Sequence, residues 1–289
     1  MSNTSVIITT QNRKEFLLRA IDSVKLQTTL PEELIIIDDC SEEKLCDKEL
    51  KIIRDELSPV VFKYIFNTVI KGGNYSRNLG VELSKFDIIM FLDDDDYWHQ
   101  SKIENQIPYF NEKIGLVYTG KKFVSSTDLF KVLRLSQESV NENSIWSGNY
   151  IGSTSGVAIK RSVFELAGKF DEKLNSLQDY DLWIRVSLIT QVAWDRDFNL
   201  FYTIHEQQGA QVSSNVCKHK ESINYIKDKY KNQIDDLAYI QKRLLLSRME
   251  YIIARAYRKN GKLIFFKYYF RSLFLSPSLR TLVLPFYYK

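Results

Sequence analysis

The sequence predicts an α/β protein with a mostly parallel central sheet flanked by helices, followed by a helical C-terminal extension. Short apolar runs of strand length alternate with longer stretches of helical periodicity in the first part of the chain. These runs are continuously apolar, which is typical of strands buried on both faces of a parallel sheet. The chain has 289 residues, of which 44% are hydrophobic, so it can bury a full core.

The elements follow one another in regular order. Each apolar run is rich in Val, Ile and Phe, and helical periodicity separates the first four runs. The predicted strands are 5–9, 33–38, 60–66, 87–92 and 156–161, with helices through 16–24, near 42–57 and from about 74 to 84 between the first four.

Polar residues follow each of the first four strands. The segments are TTQNR at 9–13, DDCS at 38–41, KGGN at 71–74 and DDDD at 93–96. Ligands of such sheets bind beyond the carboxyl ends of the strands. Each segment alone also fits a helix cap or a plain turn. Their convergence from four strands favours a binding site.

The stretch FLDDDDYW at 91–98 places four carboxylates directly after a predicted buried strand. Neighbouring carboxylates repel one another by roughly 1 kcal/mol per close pair in water, and more in a protein. A divalent cation bound by these hard oxygen ligands and shared with a phosphate would offset the repulsion. A solvated acidic turn is the alternative interpretation.

A second candidate lies at the start of a later predicted helix, in QDYDLWIRV at 178–186. Asp179 there fits a capping residue that interacts with the helix dipole. It equally fits a general base, because a rigid helix end can hold a carboxylate against an incoming hydroxyl. Both interpretations stay open at this stage.

Several classes of protein are not supported. The chain has no P-loop, and no dinucleotide-binding fingerprint follows the first strand. Its 3 cysteines have no metal-binding spacing, which favours a reducing compartment. The N-terminal segment has no signal-peptide pattern and no apolar stretch is long enough to span a membrane, so neither export nor a membrane span is expected.

Charge is distributed unevenly along the chain. Residues 1–217 carry 24 Lys and Arg against 31 Asp and Glu, whereas residues 218–289 carry 16 against 5. After Glu250 there are eight basic residues, eleven aromatic residues and no acid. This composition predicts that 251–289 binds an anionic membrane surface. A helical hairpin that packs its aromatic residues is the alternative; nucleic acid is not predicted, because no recognition motif is present.

Together, SVIITTQNR at 5–13, IIIDDCS at 35–41, GGNYSRNLG at 72–80, FLDDDDYW at 91–98, GVAIKRSVFELAGKFDEKL at 156–174 and QDYDLWIRV at 178–186 resemble the family 2 inverting glycosyltransferases of the GT-A fold, of the bacterial capsule, O-antigen and lipid-linked glycan type. The resemblance covers about residues 4–205. It implies a GT-A catalytic domain at 1–205 and a basic, aromatic-rich helical region at 206–289. The implied reaction is metal-dependent hexosyl transfer from a nucleotide-diphosphate sugar, with UDP expected, to a saccharide hydroxyl with inversion.

The resemblance also implies roles for individual residues. Asp95 becomes the direct ligand of Mg²⁺ or Mn²⁺, and His205 a second group that can reach the metal or the diphosphate. Asp179 matches the catalytic base, with Gln178 before it where the family often has Glu. The nucleotide sugar is assigned to residues that follow the strands: Thr9, Arg13, Asp39, Arg77, Asp93 and Asp94.

The expected acceptor is a saccharide, lipid-linked in this interpretation, and the expected location is the cytoplasm, peripheral at the inner face of the cytoplasmic membrane. Two other classes stay open. A sugar-phosphate nucleotidyltransferase would be expected to carry a Gly-rich loop with Arg and Lys where TTQNR stands. A non-catalytic GT-A-like protein that binds sugar or membrane would have no reason to keep both the Asp cluster and Asp179.

Overall fold

The computed structural model describes residues 3–129, 131–136, 144–205 and 215–286. The described residues form two compact units. The first unit draws on Met1–Val140, Ile151–Glu172 and Arg185–Ile204, and the second on Asn141–Tyr150, Lys173–Ile184 and His205–Lys289. The second unit therefore includes two segments that precede residue 205. The division of the chain into domains at that residue stays a prediction.

Strands and helices alternate up to residue 93, and the described chain after residue 215 is mainly helical. The elements up to residue 160 are β1 (Thr4–Thr10), α1 (Lys14–Lys25), β2 (Glu33–Asp38), α2 (Asp47–Leu57), β3 (Val61–Phe66), α3 (Gly73–Leu83), β4 (Ile88–Asp93), β5 (Tyr97–Trp98), α4 (Lys102–Gln106), β6 (Ile114–Tyr118), β7 (Lys121–Ser125), β8 (Val132–Leu135) and β9 (Val157–Lys160). The remaining elements are α5 (Arg161–Leu166), α6 (Gln178–Ser187), β10 (Gln191–Trp194), β11 (Leu200–Ile204), α7 (Val216–Lys229), α8 (Lys231–Asp235), α9 (Tyr239–Lys259), α10 (Phe265–Leu275) and α11 (Leu279–Leu282).

The main sheet of the first unit has the strand order β10-β6-β9-β4-β1-β2-β3. The pairings of β1 with β2 and β4, of β2 with β3 and of β6 with β10 are parallel. The predicted mostly parallel sheet is therefore confirmed. Strand β9, predicted at 156–161, runs antiparallel to both of its neighbours, β4 and β6.

Apolar burial on both faces explains the continuous hydrophobic runs. The four consecutive residues Leu34–Ile37 of β2 have no exposed surface. Helix α1 packs Leu17, Ile21 and Val24 into the same core, and this spacing places the three side chains on one helical face. The sheet is thus covered by helices, as its sequence pattern requires.

The register of the parallel strands determines where their polar ends lie. Thr9 of β1 pairs with Asp93 of β4, and Thr10 of β1 pairs with Asp38 of β2. The three adjacent strands β4, β1 and β2 therefore end level with one another. The polar residues that follow them lie at one edge of the sheet, where ligands bind in such folds.

A second sheet of the first unit has the strand order β5-β11-β7-β8. Strand β5 follows the Asp cluster directly and pairs antiparallel with β11. The rings of Tyr97 and Phe201 stack across this pairing with their centroids 4.5 Å apart. The C-terminal side of the Asp cluster is therefore fixed to β11.

The second unit confirms the predicted helical C-terminal extension. Helices α9 and α10 pack through Ser247 and Ser272, whose hydroxyls each donate to the other residue's carbonyl, at 2.8 and 2.9 Å. Arg243 of α9 donates to the carbonyls of Phe274 and Leu275 at 2.6 Å. These bonds satisfy carbonyls at the end of α10 that have no partner within the helix.

The structure describes the basic C-terminal segment 251–289 only as far as Phe286. Tyr287, Tyr288 and Lys289, which belong to the predicted membrane-binding segment, lie outside the described residues. Phe265 and Tyr269 of α10 are buried in a small core with residues of α9. None of the helices in the described part of the chain combines the length and the apolar character needed to cross a membrane.

The close approach of α3 to β1 yields a stability prediction. A Cβ atom at Gly80 would lie 2.4 Å from a methyl carbon of Ile7, which has 1% exposure. Overpacking costs about 1–3 kcal/mol, against a gain of about 1 kcal/mol for alanine over glycine in a helix. We expect Gly80→Ala to lower the free energy of unfolding by roughly 1 kcal/mol or more in urea titrations.

The control is Glu82→Ala, which changes an exposed residue of the same helix. A surface change of this kind should stay within about 0.5 kcal/mol of the unmodified protein. Equal or higher stability of Gly80→Ala would contradict the packing of α3 on β1.

Candidate active site

The Asp cluster lies at the carboxyl end of β4, as the sequence predicts. Asp93 is the last residue of β4, and Asp94 and Asp95 form a tight turn that the hydrogen bond from Asp96 N to Asp93 O closes at 3.1 Å. The hydroxyl of Ser155 accepts the Asp93 N–H at 3.1 Å. The four carboxylates have different sets of partners, and Asp94 and Asp95 share Arg13.

Two arginines, one directly before α1 and one within α3, pair with three of these carboxylates. Arg13, just before α1, donates to Asp94 at 3.1 Å and to Asp95 at 2.9 Å through its Nη1. Arg77 of α3, which is 8% exposed, donates to Asp93 at 2.5 Å. The sequence assigned both arginines to the nucleotide; the structure places both on the acidic cluster. Ion pairs of this kind offset much of the repulsion between neighbouring carboxylates.

A third arginine holds the backbone of the turn. Arg19 of α1 donates from Nη2 to the carbonyl of Asp95 at 2.5 Å and to the hydroxyl of Thr203 at 3.0 Å. Its guanidinium also lies 4.9 Å from the ring centroids of Phe16 and Tyr97. Burial lowers the pKa of Arg19, although nearby acidic groups oppose this shift. Arg19 therefore links Asp95, the candidate metal ligand, to Thr203 of β11.

Asp94 is a buried carboxylate with two protein partners. Thr10 donates to its Oδ2 at 2.8 Å, and Arg13 binds its Oδ1. Burial raises the pKa of Asp94 to about 6, although Arg13 and Thr10 favour the charged form. Burial alone would lower the pKa of Arg13, but the carboxylates of Asp94 and Asp95 raise it overall. The pair is thus mutually stabilised at neutral pH.

Asp96 is the most buried member of the cluster, with 1% exposure. Its Oδ1 accepts the backbone N–H of Thr203 at 3.0 Å, and its Oδ2 has no hydrogen-bond partner within the described residues. Burial raises its pKa well above the usual value, and the charges of Asp95 and Asp93 raise it further. Asp96 therefore connects the Asp cluster to β11 by a hydrogen bond, and its carboxylate is not accessible to solvent.

Asp39 organises the turn that leads into α3. Its Oδ1 accepts from Asn67 and from the backbone N–H of Lys71, both at 2.9 Å, and its Oδ2 accepts the N–H of Gly72 at 2.7 Å. Gly72 has a φ of 92°, which only glycine adopts readily. A carboxylate has about four acceptor positions, so one remains for a further donor.

The sequence-predicted base lies in the first turn of α6, in the second unit. Asp179 is half-buried; its Oδ2 accepts from Asn149 at 3.1 Å, and its Oδ1 accepts the N–H of Tyr180 at 2.7 Å. This bond satisfies a first-turn N–H that has no partner within the helix, which stabilises the helix start, although it is not the usual N-cap bond to an N–H two or three residues ahead. The catalytic role of Asp179 stays a prediction.

The same helix is anchored by a residue that the sequence interpretation missed. Asp181 has no exposed surface; it pairs with Lys229 at 2.9 Å and accepts from the Tyr230 hydroxyl at 2.8 Å. The Tyr180 hydroxyl donates to the carbonyl of Ile145 at 3.0 Å. These contacts fix the start of α6 within the second unit, and with it the backbone of Asp179.

The donor atoms fit a divalent cation that a diphosphate also ligates. No three side chains of His, Cys, Asp or Glu in the described ranges are close enough to hold a metal by themselves. Mg²⁺ is commonly held by one or two carboxylates together with phosphate oxygens, rather than by a complete protein cage. The carboxylates of Asp95 and Asp93 are hard oxygen donors of this kind, and their binding of a metal stays a prediction. His205 directly follows β11 and is half-buried.

The structure brings together most of the predicted nucleotide-site residues of the first unit. Thr9 pairs with Asp93, and Arg13, Arg77 and the Asp cluster are in contact. Their roles in binding stay predictions. The sequence interpretation missed Thr10, Arg19 and Asp96 as partners within the cluster. Thr10 directly follows Thr9, which the sequence analysis had already singled out. The contact of Arg19 with Thr203 of β11 has no local pattern in the sequence that would predict it.

The sequence matches the family model "Glycosyl transferase family 2" over residues 5–166. It is 27% identical over 286 residues to an uncharacterized glycosyltransferase of Haemophilus influenzae, a match covering 97% of this chain and 93% of that protein. It is 28% identical to the UDP-Glc:alpha-D-GlcNAc-diphosphoundecaprenol beta-1,3-glucosyltransferase WfaP of Escherichia coli, covering 75% of this chain and 82% of WfaP. Two Rickettsia relatives are longer, and the chain spans 32% and 38% of their lengths.

Two solved structures are similar in fold. Residues 1–349 of S. aureus TarS in complex with UDP-GlcNAc superpose with a TM-score of 0.57 at 14% identity, over 95% of this chain and 89% of that one. The mannosyltransferase PcManGT from Pyrobaculum calidifontis in complex with GDP-Man and Mn²⁺ gives a TM-score of 0.57 at 15% identity, over 98% and 78%. The predicted GT-A fold is thereby confirmed.

The buried bond from Thr10 to Asp94 yields a prediction. Thr10→Val removes the hydroxyl donor at nearly constant volume, and loss of a bond to a charged group costs about 1.5–3 kcal/mol. Because the pKa of Asp94 is raised to about 6, its carboxylate is charged at pH 8 and mostly protonated at pH 5. We expect the loss of unfolding free energy to be larger at pH 8 than at pH 5.

The control is Thr9→Val, the same isosteric change one residue away, where the side chain projects to the opposite face of β1. Urea titrations of both variants at both pH values give the comparison. An equal loss for the two variants, or a loss at Thr10 that does not depend on pH, would contradict the charged hydrogen bond.

Proposed function

Because the chain belongs to glycosyltransferase family 2, we propose that it is an inverting, metal-dependent enzyme that transfers a sugar from a UDP-sugar to a hydroxyl of a lipid-linked saccharide. The observation that carries this proposal is the acidic turn after β4, where Arg13 and Arg77 pair with carboxylates. An arginine-lined group of carboxylates suits a ligand that brings both a cation and phosphates. Family membership also favours transfer over the nucleotidyltransferase and non-catalytic alternatives.

The proposed donor site lies around the ends of β1, β2 and β4. Asp39 is the acceptor for the imide N–H of uracil, which the acceptor position left by its three protein donors supports. Thr9 and Asp93 are neighbours across β1 and β4 and take the ribose side. UDP is the proposed nucleotide because WfaP is named as using UDP-Glc and TarS was solved with UDP-GlcNAc.

The proposed metal ligand is Asp95, with Asp93 and Asp94 beside it and His205 as a further group that reaches the metal or the diphosphate. A Mg²⁺ or Mn²⁺ held there would supply positive charge that stabilises the leaving diphosphate. The PcManGT complex with Mn²⁺ supports this expectation by analogy of fold. Arg13 and Arg77 pair with the same carboxylates that would bind the cation. Guanidinium groups are planar donors of the kind that binds phosphate oxygens in pairs.

The proposed base is Asp179. The acceptor hydroxyl attacks the anomeric carbon, its proton passes to Asp179, and the bond from that carbon to the UDP oxygen breaks, which inverts the configuration. The bonds that Asn149 and the Tyr180 N–H donate hold the carboxylate in one orientation. Orientation of this kind contributes because a base must lie within hydrogen-bonding reach of its proton.

The proposed acceptor is a saccharide linked to a polyprenyl diphosphate at the inner face of the cytoplasmic membrane. The name of WfaP specifies such an acceptor, GlcNAc-diphosphoundecaprenol. The basic composition of 251–289 supports a peripheral membrane location. Offering UDP-glucose or UDP-N-acetylglucosamine with this acceptor to the purified protein tests the whole proposal. If neither donor gives transfer to this acceptor, the proposal is refuted for these donors and this acceptor.

Removal of the metal or of its proposed ligand gives a direct prediction. EDTA should abolish transfer, and Mg²⁺ or Mn²⁺ should restore it. Asp95→Ala should lower the turnover on the order of 10²-fold or more, because it removes the proposed ligand of the cation that would stabilise the leaving diphosphate. Calorimetry should also show that Mn²⁺ no longer strengthens UDP binding to this variant.

The matched control is Asp55→Ala, at an exposed position of α2, which should keep full activity and metal dependence. Unchanged turnover of Asp95→Ala, or transfer that proceeds in excess chelator, would exclude the metal role.

The base assignment gives a different pattern. Asp179→Asn should lower the transfer rate by about 10²–10⁴-fold, because the amide cannot accept the hydroxyl proton. The affinity for UDP should stay within about twofold, since a base acts on the acceptor. Transfer rates and calorimetric UDP titrations measure the two quantities separately.

The control is Asp228→Asn at an exposed position of α7. If Asp179→Asn instead loses thermal stability and keeps its transfer rate per folded molecule, the residue serves only as a helix cap.

A further inference from the structure

Helix α10 has two different apolar faces. One face packs on α9 through Phe265, Tyr269 and Ser272, which are all buried. On another face Phe266, Phe270 and Phe274 follow at intervals of four residues, so they lie side by side along the helix. They are 42%, 60% and 83% exposed. A surface helix ordinarily has one apolar stripe and a polar remainder.

Other apolar residues of the C-terminal segment are exposed as well. Leu263, just before α10, is 78% exposed, and Leu279 and Phe286 farther along the tail are 77% and 78% exposed. A row of exposed apolar side chains such as Phe266, Phe270 and Phe274 is the kind of surface that ordinarily marks an interaction site. We call the exposed face of α10, formed by Leu263, Phe266, Phe270 and Phe274, the phenylalanine face.

Exposed basic residues border the phenylalanine face. Lys267 and Arg271 are one helical turn apart and each directly follows a phenylalanine of the face. Lys262 precedes the helix and is exposed as well. No Asp or Glu occurs in the sequence after Glu250, so no acid of this segment offsets these charges.

We propose that the phenylalanine face inserts into an anionic phospholipid bilayer while Lys262, Lys267 and Arg271 contact the lipid headgroups. Apolar burial and attraction to anionic headgroups are the two contributions that hold an interfacial helix. A protein partner would have to supply an acidic rim around an apolar groove, whereas an anionic bilayer presents both features everywhere. The inference rests on the proposed function only for the choice of a membrane, which carries the acceptor.

The experiment measures partition of the full-length protein onto vesicles of phosphatidylglycerol mixed with phosphatidylcholine, and onto vesicles of phosphatidylcholine alone. The unmodified protein should prefer the anionic vesicles, and higher salt should weaken binding because it screens the headgroup charge. Phe266→Gln/Phe270→Gln/Phe274→Gln should lower the partition coefficient by about tenfold or more. Lys267→Glu/Arg271→Glu should lower it by about tenfold on anionic vesicles only.

Matched controls change residues of the same kind on the first unit. Ile52→Gln/Leu166→Gln/Leu188→Gln replaces three exposed apolar residues, and Lys51→Glu/Lys85→Glu reverses two exposed charges. Both controls should bind vesicles as the unmodified protein does. If the control variants lose as much vesicle binding as the α10 variants do, the effect is a general one of apolar surface or charge, and the proposal is overturned.

Two further results would overturn it. One is an unmodified protein without preference for anionic vesicles at low salt. The other is a dimer, seen by light scattering, that the triple glutamine variant converts to a monomer without a change in vesicle binding, since the face would then bind a second copy. Transfer to the detergent-solubilised acceptor is measured in parallel. Loss of this transfer would contradict the proposed function. Loss of vesicle binding would contradict only the membrane proposal, because vesicle binding requires neither donor nor acceptor.

Discussion

The pairing of the acidic turn with arginines is the interaction on which the first unit's site depends. Carboxylates that are adjacent in sequence repel, and a buried charge without a partner costs several kcal/mol. Arg13 binds Asp94 and Asp95, and Arg77 binds Asp93. One arginine adjoins the start of α1 and the other belongs to α3. The position of both helices against the sheet is therefore coupled to the charge of the turn.

The members of the acidic turn have different environments, and this difference separates their possible roles. Asp94 and Asp96 are buried and have raised pKa values, with Asp94 at about 6. Asp96 holds the turn to β11 through the Thr203 N–H. Asp95 keeps more exposure than Asp94, and Arg13 binds its Oδ2. A buried pair thus supports the more accessible carboxylates, which is how a precise site is held by surrounding contacts.

The second unit shows a comparable division within helices. In α6, Asp181 is fully buried and fixed by Lys229 and Tyr230, while Asp179 two residues earlier stays half-exposed. In α10, Phe265 and Tyr269 form the packing surface, whereas Phe266 and Phe270 are exposed. In each helix buried residues supply stability, and neighbouring positions keep exposed surface.

The sequence by itself determined the alternation of the first four strands with three helices, the parallel centre of the sheet and the strand ends at which polar groups gather. These features depend on local periodicity and on the rule that parallel strands end at one edge. The antiparallel direction of β9, the bond from Thr10 to Asp94, the contacts of Arg19 with Thr203 and the anchoring of Asp181 by α7 were decided only by tertiary structure. The partners in these bonds lie 48 to 184 residues apart in the chain. No local pattern specifies such pairs, because they form only when the whole sheet and its helices have packed.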